Sequence, residues 1–339
     1  MRRGLRRACD VFAAGLARVM LQSFFREVVI AGEQNLPKDR PVLIVANHVN
    51  SLVDPMLLIG FLRLRPRVLA KSTLWSHPVV RPFLALVGAL PVYRRGEAQV
   101  SQNAHTIASC ARHLGEGGAI ALFPEGMSHN RQGLQPLKSG AARIALAAAG
   151  DHPGLGLEIV PIGLRYEAKE RFRSRVLLQI GPALECRDEV ELQAVDRARA
   201  VRILTARLQA ALAEVVDGPV QTSTVVPPRQ RPFWSVPLAL AGLLLDWLPF
   251  KIPGWISARI TRTPDEAATN KLFLALMLFP AFWLAESLAA GLVAGWLAAL
   301  GVAVLGPLGG LAALRVFARH GLVSARPGAL RDPRRQPEP

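Results

Sequence analysis

The 339-residue chain is long enough for about two domains at ~100–200 residues each, and 41 Lys and Arg against 25 Asp and Glu leave a formal net charge of +16. With 51% apolar residues, 19% charged residues and a mean hydropathy of +0.26, it is too hydrophobic for a solvated basic tail or a disordered nucleic-acid binder. Charge combined with apolar content points to an anionic membrane, which attracts Lys and Arg beside segments that enter lipid, and no zinc-finger, helix-turn-helix or RNA-binding signature argues for nucleic acid.

Residues 1–35 open with Arg2, Arg3, Arg6 and Arg7, and Arg18, Gln22, Arg26 and Glu27 interrupt the following run as no cleaved signal core would tolerate. Val11, Leu16, Val19, Met20, Phe24 and Val28 recur at helical spacing between arginines, as in a helix lying in the membrane interface. The same pattern also suits an amphipathic helix packed on the domain that follows. Cys9, Cys110 and Cys186 are far apart and form no CxxC, so neither a zinc cluster nor a disulfide framework is read from them, and a reducing cytosol fits.

Residues 36–217 alternate short apolar runs with helical stretches, the mark of an α/β layered domain. Strands are predicted at 42–46, 67–70, 119–123, 158–164 and 176–180, and helices at 55–64, 98–115, 139–149 and 188–216. Residues 218–232, rich in Gly, Ser, Thr and Pro, read as a linker.

Residues 233–320 form a membrane-associated region. Between Leu272 and Leu314 the only ionisable side chain is Glu286, and the run is long enough for two spans of about 20 residues, at 272–291 and 295–314, with a turn near Gly291 to Gly295. Lys271 before the first span and Arg315, Arg319 and Arg326 after the second place both ends of this hairpin on the cytoplasmic side. An acid at mid-membrane costs about 3 kcal/mol, so the first span is marginal alone and inserts with the second. The stretch 233–250 contains Pro237 and Asp246 and is expected to be re-entrant or interfacial, and the basic, Pro-rich tail 321–339 to be disordered.

Four blocks inside the α/β region carry chemistry. In Asn47-His48-Val49-Asn50-Ser51-Leu52-Val53-Asp54-Pro55, a histidine follows a strand and an aspartate precedes a helix. Asp54 followed by Pro suits a helix cap, and a lone histidine is commonly structural. Together they also make a charge-assisted pair, in which the carboxylate fixes the imidazole tautomer and leaves the other nitrogen as a general base. Arg94 and Arg95 end an apolar run and can clamp phosphate bidentately, or simply face solvent. In Phe123-Pro124-Glu125-Gly126-Met127-Ser128-His129, Gly126 permits a sharp turn, while Arg131, Lys138 and the helix start at Ser139 add charge and free amides suited to an anion. Pro161 would interrupt strand pairing, which suggests a sheet edge or a site lining.

These blocks, in this order, resemble the PlsC-like glycerolipid acyltransferase family, the lysophosphatidate and glycerol-phosphate acyltransferases. Asn47-His48 with Asp54 resembles the first family motif, Gly88 to Arg94 the second, Phe123-Pro124-Glu125-Gly126 the third and Val160-Pro161 the fourth, covering roughly residues 36–184. The resemblance implies a PlsC-like domain with a mixed sheet flanked by helices, here joined to the transmembrane hairpin. It implies that His48 deprotonates a glycerol hydroxyl with Asp54 in support, that Arg94, Glu125 and Gly126 hold the glycerol-phosphate, and that Pro161 lies on the acyl-donor side. Lys71 also resembles a family position near the site; otherwise it is a surface lysine. The expected reaction takes an acyl group from acyl-CoA or acyl-carrier protein to a glycerophospholipid acceptor such as 1-acyl-glycerol-3-phosphate, with no further cofactor, metal or nucleic acid. One departure stands out: five residues, Val49 to Val53, separate His48 from Asp54 where the family usually has four. That spacing resembles a branch with fungal-type glycerol-3-phosphate and dihydroxyacetone-phosphate acyltransferases, which makes those acceptors the alternative. A phosphate-binding membrane module without catalysis is the reading from another class, but it needs arginines and not a histidine base.

Overall fold

The segment Val42–Ala46 is apolar at all positions and wholly buried, as a strand covered on both faces must be. It forms β2 of an eight-stranded mixed sheet in a computed structural model that describes residues 2–76, 78, 80–93, 100–131, 133–219, 223–225, 235–261 and 263–317. The other strands are β1 (Glu27–Ala31), β3 (Arg67–Lys71), β4 (Leu90–Val92), β5 (Ala119–Leu122), β6 (Glu158–Tyr166), β7 (Arg175–Ile180) and β8 (Ser223–Val225), in the spatial order β4-β3-β5-β2-β6-β7-β1-β8. The pairs β3–β4, β3–β5, β2–β5 and β2–β6 are parallel and β1–β8 is antiparallel. The parallel pairing places the carboxyl ends of β2 to β6 on one edge, where open α/β sheets bind ligands.

The chain divides into two compact units, one of residues 1–19, 29–165 and 177–225, the other of residues 20–28, 166–176 and 226–339. In the first unit the helices are the greater part of α1 (Arg2–Phe24), then α2 (Val53–Phe61), α3 (Val80–Leu86), α4 (Asn103–Gly115), α5 (Gly140–Asp151), α6 (Arg187–Gln193) and α7 (Arg197–Asp217). Its main core joins Leu43, Val45, Ile120 and Leu122 of the sheet to Cys110 and Leu114 of α4, Ile144 of α5, and Leu204, Leu208 and Leu212 of α7. Each fully buried leucine or isoleucine there contributes about 1.5–3 kcal/mol.

Several expectations are corrected. Residues 188–216 are two helices rather than one, because Asp196 turns extended and its side chain accepts from the Arg199 amide at 2.8 Å, capping a new helix. The predicted linker contributes β8, and the β-branched run near Val28 forms β1 rather than continuing the amphipathic helix. Pro161 lies inside β6, between β2 and β7, not at an edge. Its carbonyl accepts from the Gly181 amide at 2.9 Å, so its missing N–H faces the flank where β7 has already ended, and no ladder bond is lost toward β2. In α1 the buried residues are Ala13, Ala17, Leu21 and Phe24, whereas Val11 and Val19 of the expected stripe stay exposed; Ala17 and Arg18 approach Gly60 of α2, whose carbonyl accepts from Arg18 Nε at 3.0 Å. Leu5, Phe12 and Val19, seven residues apart, stay exposed on another face of that helix.

The second unit contains α8 (Ser235–Ile260), α9 (Ala267–Ala294) and α10 (Trp296–Phe317). The stretch 233–250, expected to be re-entrant or interfacial, belongs from Ser235 onward to α8, which runs on through Pro249 and Pro253. Asp246 in it is wholly buried and accepts from Trp283 Nε1 of α9 at 2.7 Å, which accommodates the polar group that made the segment look unsuited to an apolar setting. Backbones of α8 and α10 touch at Gly242 and Gly309, where a Cβ on Gly242 would stand 2.6 Å from Gly309 Cα. Gly295, at φ 84°, makes the sharp turn between α9 and α10 near the expected position. Both helices are long and apolar enough to cross a bilayer. The tail 321–339 lies outside the described residues.

Candidate active site

Beyond Ala46 the chain leaves β2 and must find partners for the amides of an irregular loop. Asp54, in the first turn of α2, does most of this. It does not cap its own helix, as Asp-Pro suggested; Leu52 holds the cap position. Asp54 Oδ2 instead turns back and accepts from the amides of Val49 at 2.8 Å and Asn50 at 2.7 Å, and meets His48 Nδ1 at 2.9 Å. An acceptor on Nδ1 assigns the ring proton to that atom and leaves Nε2 as the basic nitrogen. Phe123, at the end of β5, stacks on the His48 ring with centroids 4.3 Å apart and an interplanar angle of 20°. Asp54 is fully buried whereas His48 keeps 19% of its side chain exposed, so the ring sits between a closed polar floor and an accessible face.

The five-residue spacing is accommodated at Ser51, which takes φ 39°, a left-handed backbone rare for a non-glycine residue. Its amide donates to Ser128 Oγ at 3.0 Å. The His48 amide donates to Glu125 Oε1 at 2.6 Å, so the amides of residues 48 to 51 all have acceptors.

Glu125 is the second organising carboxylate. Besides the His48 amide it accepts from the Gln135 amide at 2.9 Å and pairs with His129 Nε2 through Oε2. Gly126 follows at φ 78° in the turn after β5, its amide donating to the Phe123 carbonyl at 3.0 Å. A Cβ there would run into the Lys138 side chain, so Lys138 lies directly over this turn. The Lys138 amide closes the loop onto the Pro124 carbonyl at 2.8 Å.

Of the residues expected at the site, the structure brings together His48, Asp54 and Glu125, with Gly126 and Lys138 adjoining. Asn47 is next in the chain but is committed elsewhere: its side chain donates to the Leu164 carbonyl at 3.0 Å and accepts from the Leu164 amide at 2.7 Å, tying β2 to β6. Arg131 is exposed and reaches the cluster through its backbone amide, which donates to His129 Nδ1 at 3.2 Å. Lys71 ends β3 on the same sheet edge, and Pro161 sits within β6; neither has a described contact with His48. Arg94 and Arg95 lie outside the described residues. Sequence reasoning overlooked Phe123, Ser128, His129 and Gln135 as partners of the pair. The one available signal was a second histidine four residues after Glu125.

Burial pushes the thiols of Cys110 and Cys186 up to about 12 and about 11, so neither supplies a thiolate nucleophile. Among the described residues no three His, Cys, Asp or Glu side chains are grouped to hold a metal ion. What the arrangement offers is an oriented imidazole whose Nε2 has no hydrogen-bond partner among the described residues, at the carboxyl edge of parallel strands.

Comparison with known proteins agrees with that chemistry. The Acyltransferase family model matches residues 27–165. An uncharacterized acyltransferase of Schizosaccharomyces pombe is 27% identical over 268 residues, an alignment of 53% of this chain and 40% of the yeast protein. Glycerol-3-phosphate O-acyltransferase 1 of Saccharomyces cerevisiae is 41% identical over 78 residues, 23% of this chain and 10% of that one. A 1-acyl-sn-glycerol-3-phosphate acyltransferase of Borreliella burgdorferi is 26% identical over 175 residues, covering 52% of this chain and 62% of its relative. The chain thus spans less than two thirds of the length of each of these proteins. The crystal structure of the lysophosphatidate acyltransferase PlsC from Thermotoga maritima aligns with a TM-score of 0.45 and 19% identity over 65% of this chain and 84% of that one. The His48–Asp54 pair and the Glu125–Gly126 turn both lie within residues 27–165, the stretch that the Acyltransferase family model matches.

Proposed function

We propose that the protein is a membrane-bound O-acyltransferase of phospholipid synthesis, moving a fatty acyl group from acyl-CoA or acyl-carrier protein to the free hydroxyl of 1-acyl-glycerol-3-phosphate. The observation that carries this reading is the 2.9 Å contact between His48 Nδ1 and Asp54, with Nε2 left as base beside a half-open face. Nε2 takes the hydroxyl proton as the oxygen attacks the thioester carbonyl. The tetrahedral intermediate collapses, the carbon–sulfur bond breaks, and the thiolate leaves and is protonated, giving an ester and a free thiol. Gly126, Lys138 and Arg131, with Arg94 and Arg95, supply charge and close backbone approach for the acceptor's phosphate. The helices α9 and α10 would anchor the enzyme as a hairpin, and the basic residues flanking them favour the cytoplasmic side for the catalytic unit. The exposed Leu5, Phe12 and Val19 stripe of α1 adds an interfacial contact.

The five-residue spacing and the yeast glycerol-3-phosphate acyltransferase relative favour a second acceptor class, glycerol-3-phosphate or dihydroxyacetone phosphate. Purified full-length protein in detergent, given labelled acyl-CoA and each acceptor in turn, separates the two. The first reading expects lysophosphatidate to be acylated; acylation of glycerol-3-phosphate with lysophosphatidate ignored selects the second. In either case His48→Ala should lower turnover by about 10²–10⁴-fold without loss of folded protein. Unchanged turnover in that variant discards the base mechanism and leaves the non-catalytic phosphate binder.

A further inference from the structure

The family resemblance places Glu125 against the acceptor, and it is silent on His129. The hydrogen bonds say something different about both. Glu125 is 4% exposed, and its two oxygens accept from the His48 amide, the Gln135 amide and the His129 ring. His129 is 8% exposed. Its Nδ1 accepts from the Arg131 amide at 3.2 Å, which leaves the ring proton on Nε2, the atom that donates to Glu125. With both ring nitrogens engaged and the residue buried, His129 is not placed to exchange a proton with substrate. Its main chain, however, donates to the His48 carbonyl at 3.1 Å.

We infer that His129 is a positioning residue for His48, acting on both of its peptide groups: on the carbonyl directly and on the amide through Glu125. Together with Ser128, which accepts from the Ser51 amide, it forms one wall of a clamp on residues 48 to 51, and Asp54 forms the other. The longer His-to-Asp loop explains the need for that wall. An extra residue adds a backbone amide and a left-handed kink at Ser51 between base and carboxylate, and without an outside clamp the imidazole would be held to the main chain by Asp54 alone. Since a displacement of about 1 Å from the productive geometry can cost 10²-fold in rate, a clamp acting only on the backbone of the base still controls turnover.

The inference rests on His48 being the base, and the experiment separates the two claims. Full-length His129→Gln, His129→Phe and His48→Ala proteins are compared with wild type for kcat, for KM toward acyl-CoA and for melting temperature. Glutamine keeps a donor for Glu125 and an acceptor for the Arg131 amide but loses the ring; phenylalanine keeps the ring volume and loses both polar contacts. Positioning through hydrogen bonds predicts that His129→Gln retains kcat within about fivefold, while His129→Phe loses about 10–100-fold in kcat with KM changed little. Full turnover in His129→Phe, or a tenfold loss in a normally melting His129→Gln, overturns the inference even when His48→Ala is inactive. Full turnover in His48→Ala instead removes the base reading, and the inference with it. Should His129→Phe not fold, a tenfold loss in a normally melting His129→Gln still overturns the inference.

Discussion

Asp54 and Asp246 are both completely buried, yet the protein surrounds them differently. One oxygen of Asp54 gathers two backbone amides and an imidazole, whereas among the described residues Asp246 takes a single donor, Trp283 Nε1, and its Oδ2 has no hydrogen-bond partner. The reason is the backbone around each. Asp54 faces a loop whose amides have no neighbouring strand or helical turn to bond, so a carboxylate can collect them. Asp246 lies within α8, where helical turns satisfy their own amides and only another side chain can approach. Small residues let the helix packed against it come close: a Cβ on Gly310 would meet the Asp246 carboxylate. A buried acid in the loop therefore organises its surroundings, while one in the apolar helices is accommodated by them.

The strongest way to break this contrast is at the loop. Asp54→Asn removes the negative charge that supports the His48 ring, and its amide can present either the oxygen or the NH2 group to the three donors that share Oδ2. By the precedent of an oriented histidine losing its aspartate, turnover should fall by up to about 10⁴-fold, read from initial rates alongside a thermal melt. A loss under tenfold would mean that Asp54 serves only the loop backbone. A smaller effect is expected at Asp246: Trp283→Phe keeps the aromatic contact with Phe279 but removes the one donor, and leaving a buried acceptor bare costs about 1–3 kcal/mol of stability, measured by thermal unfolding in detergent. No change there would show that Asp246 is satisfied in another way.

The smallest effect is a slope rather than a step. His113 in α4 is pulled down from its ordinary value of 6.5 to about 4, first by burial and then by the Arg67 charge, and its Nδ1 has no partner among the described residues. As pH falls through the window from 6.5 to 4, the unfolded chain takes up a proton that the folded state does not yet hold, so acid favours unfolding there. His113→Gln should flatten stability against pH over that interval, as followed by melting temperature. An unaltered slope would place the acid sensitivity elsewhere.

The elements that were readable in the sequence were those whose signal is local. Val42–Ala46 and Ala119–Leu122 are short runs of apolar, largely β-branched or small residues bounded by turns, and the span pattern after Leu272 depends only on uninterrupted length. His48 and Asp54 could be singled out because they flank the short connection from β2 into α2, and Glu125 and Gly126 because they follow directly on β5, where residue type is diagnostic. Pro161 misled, since a strand proline reads as an edge until it is known which flank its nitrogen faces. The break at Asp196 was missed because the apolar stripe is in phase across much of α7, whereas the cap that restarts the helix is a single side chain. The α1 packing face was read only in part: Phe24 is buried as expected, but Ala13 and Ala17 were passed over because alanines carry little hydropathy, although close approach to Gly60 calls for them.

By itself, then, the sequence determined the alternation of elements, the pairing of a histidine with an aspartate, and the apolar helices of the C-terminal third. All of these follow from residue type and spacing along a few turns of chain. Tertiary structure alone decided what Glu125 and His129 do, because their partners come from 77 residues away at the His48 amide and from the neighbouring loop at Gln135 and Arg131. It likewise decided that α8 could remain a helix around Asp246, since the donor that makes this possible lies on α9, 37 residues further on. Hydrogen bonds between distant segments leave no periodicity in the sequence, and at these points the fold, not the local chain, chose the partner.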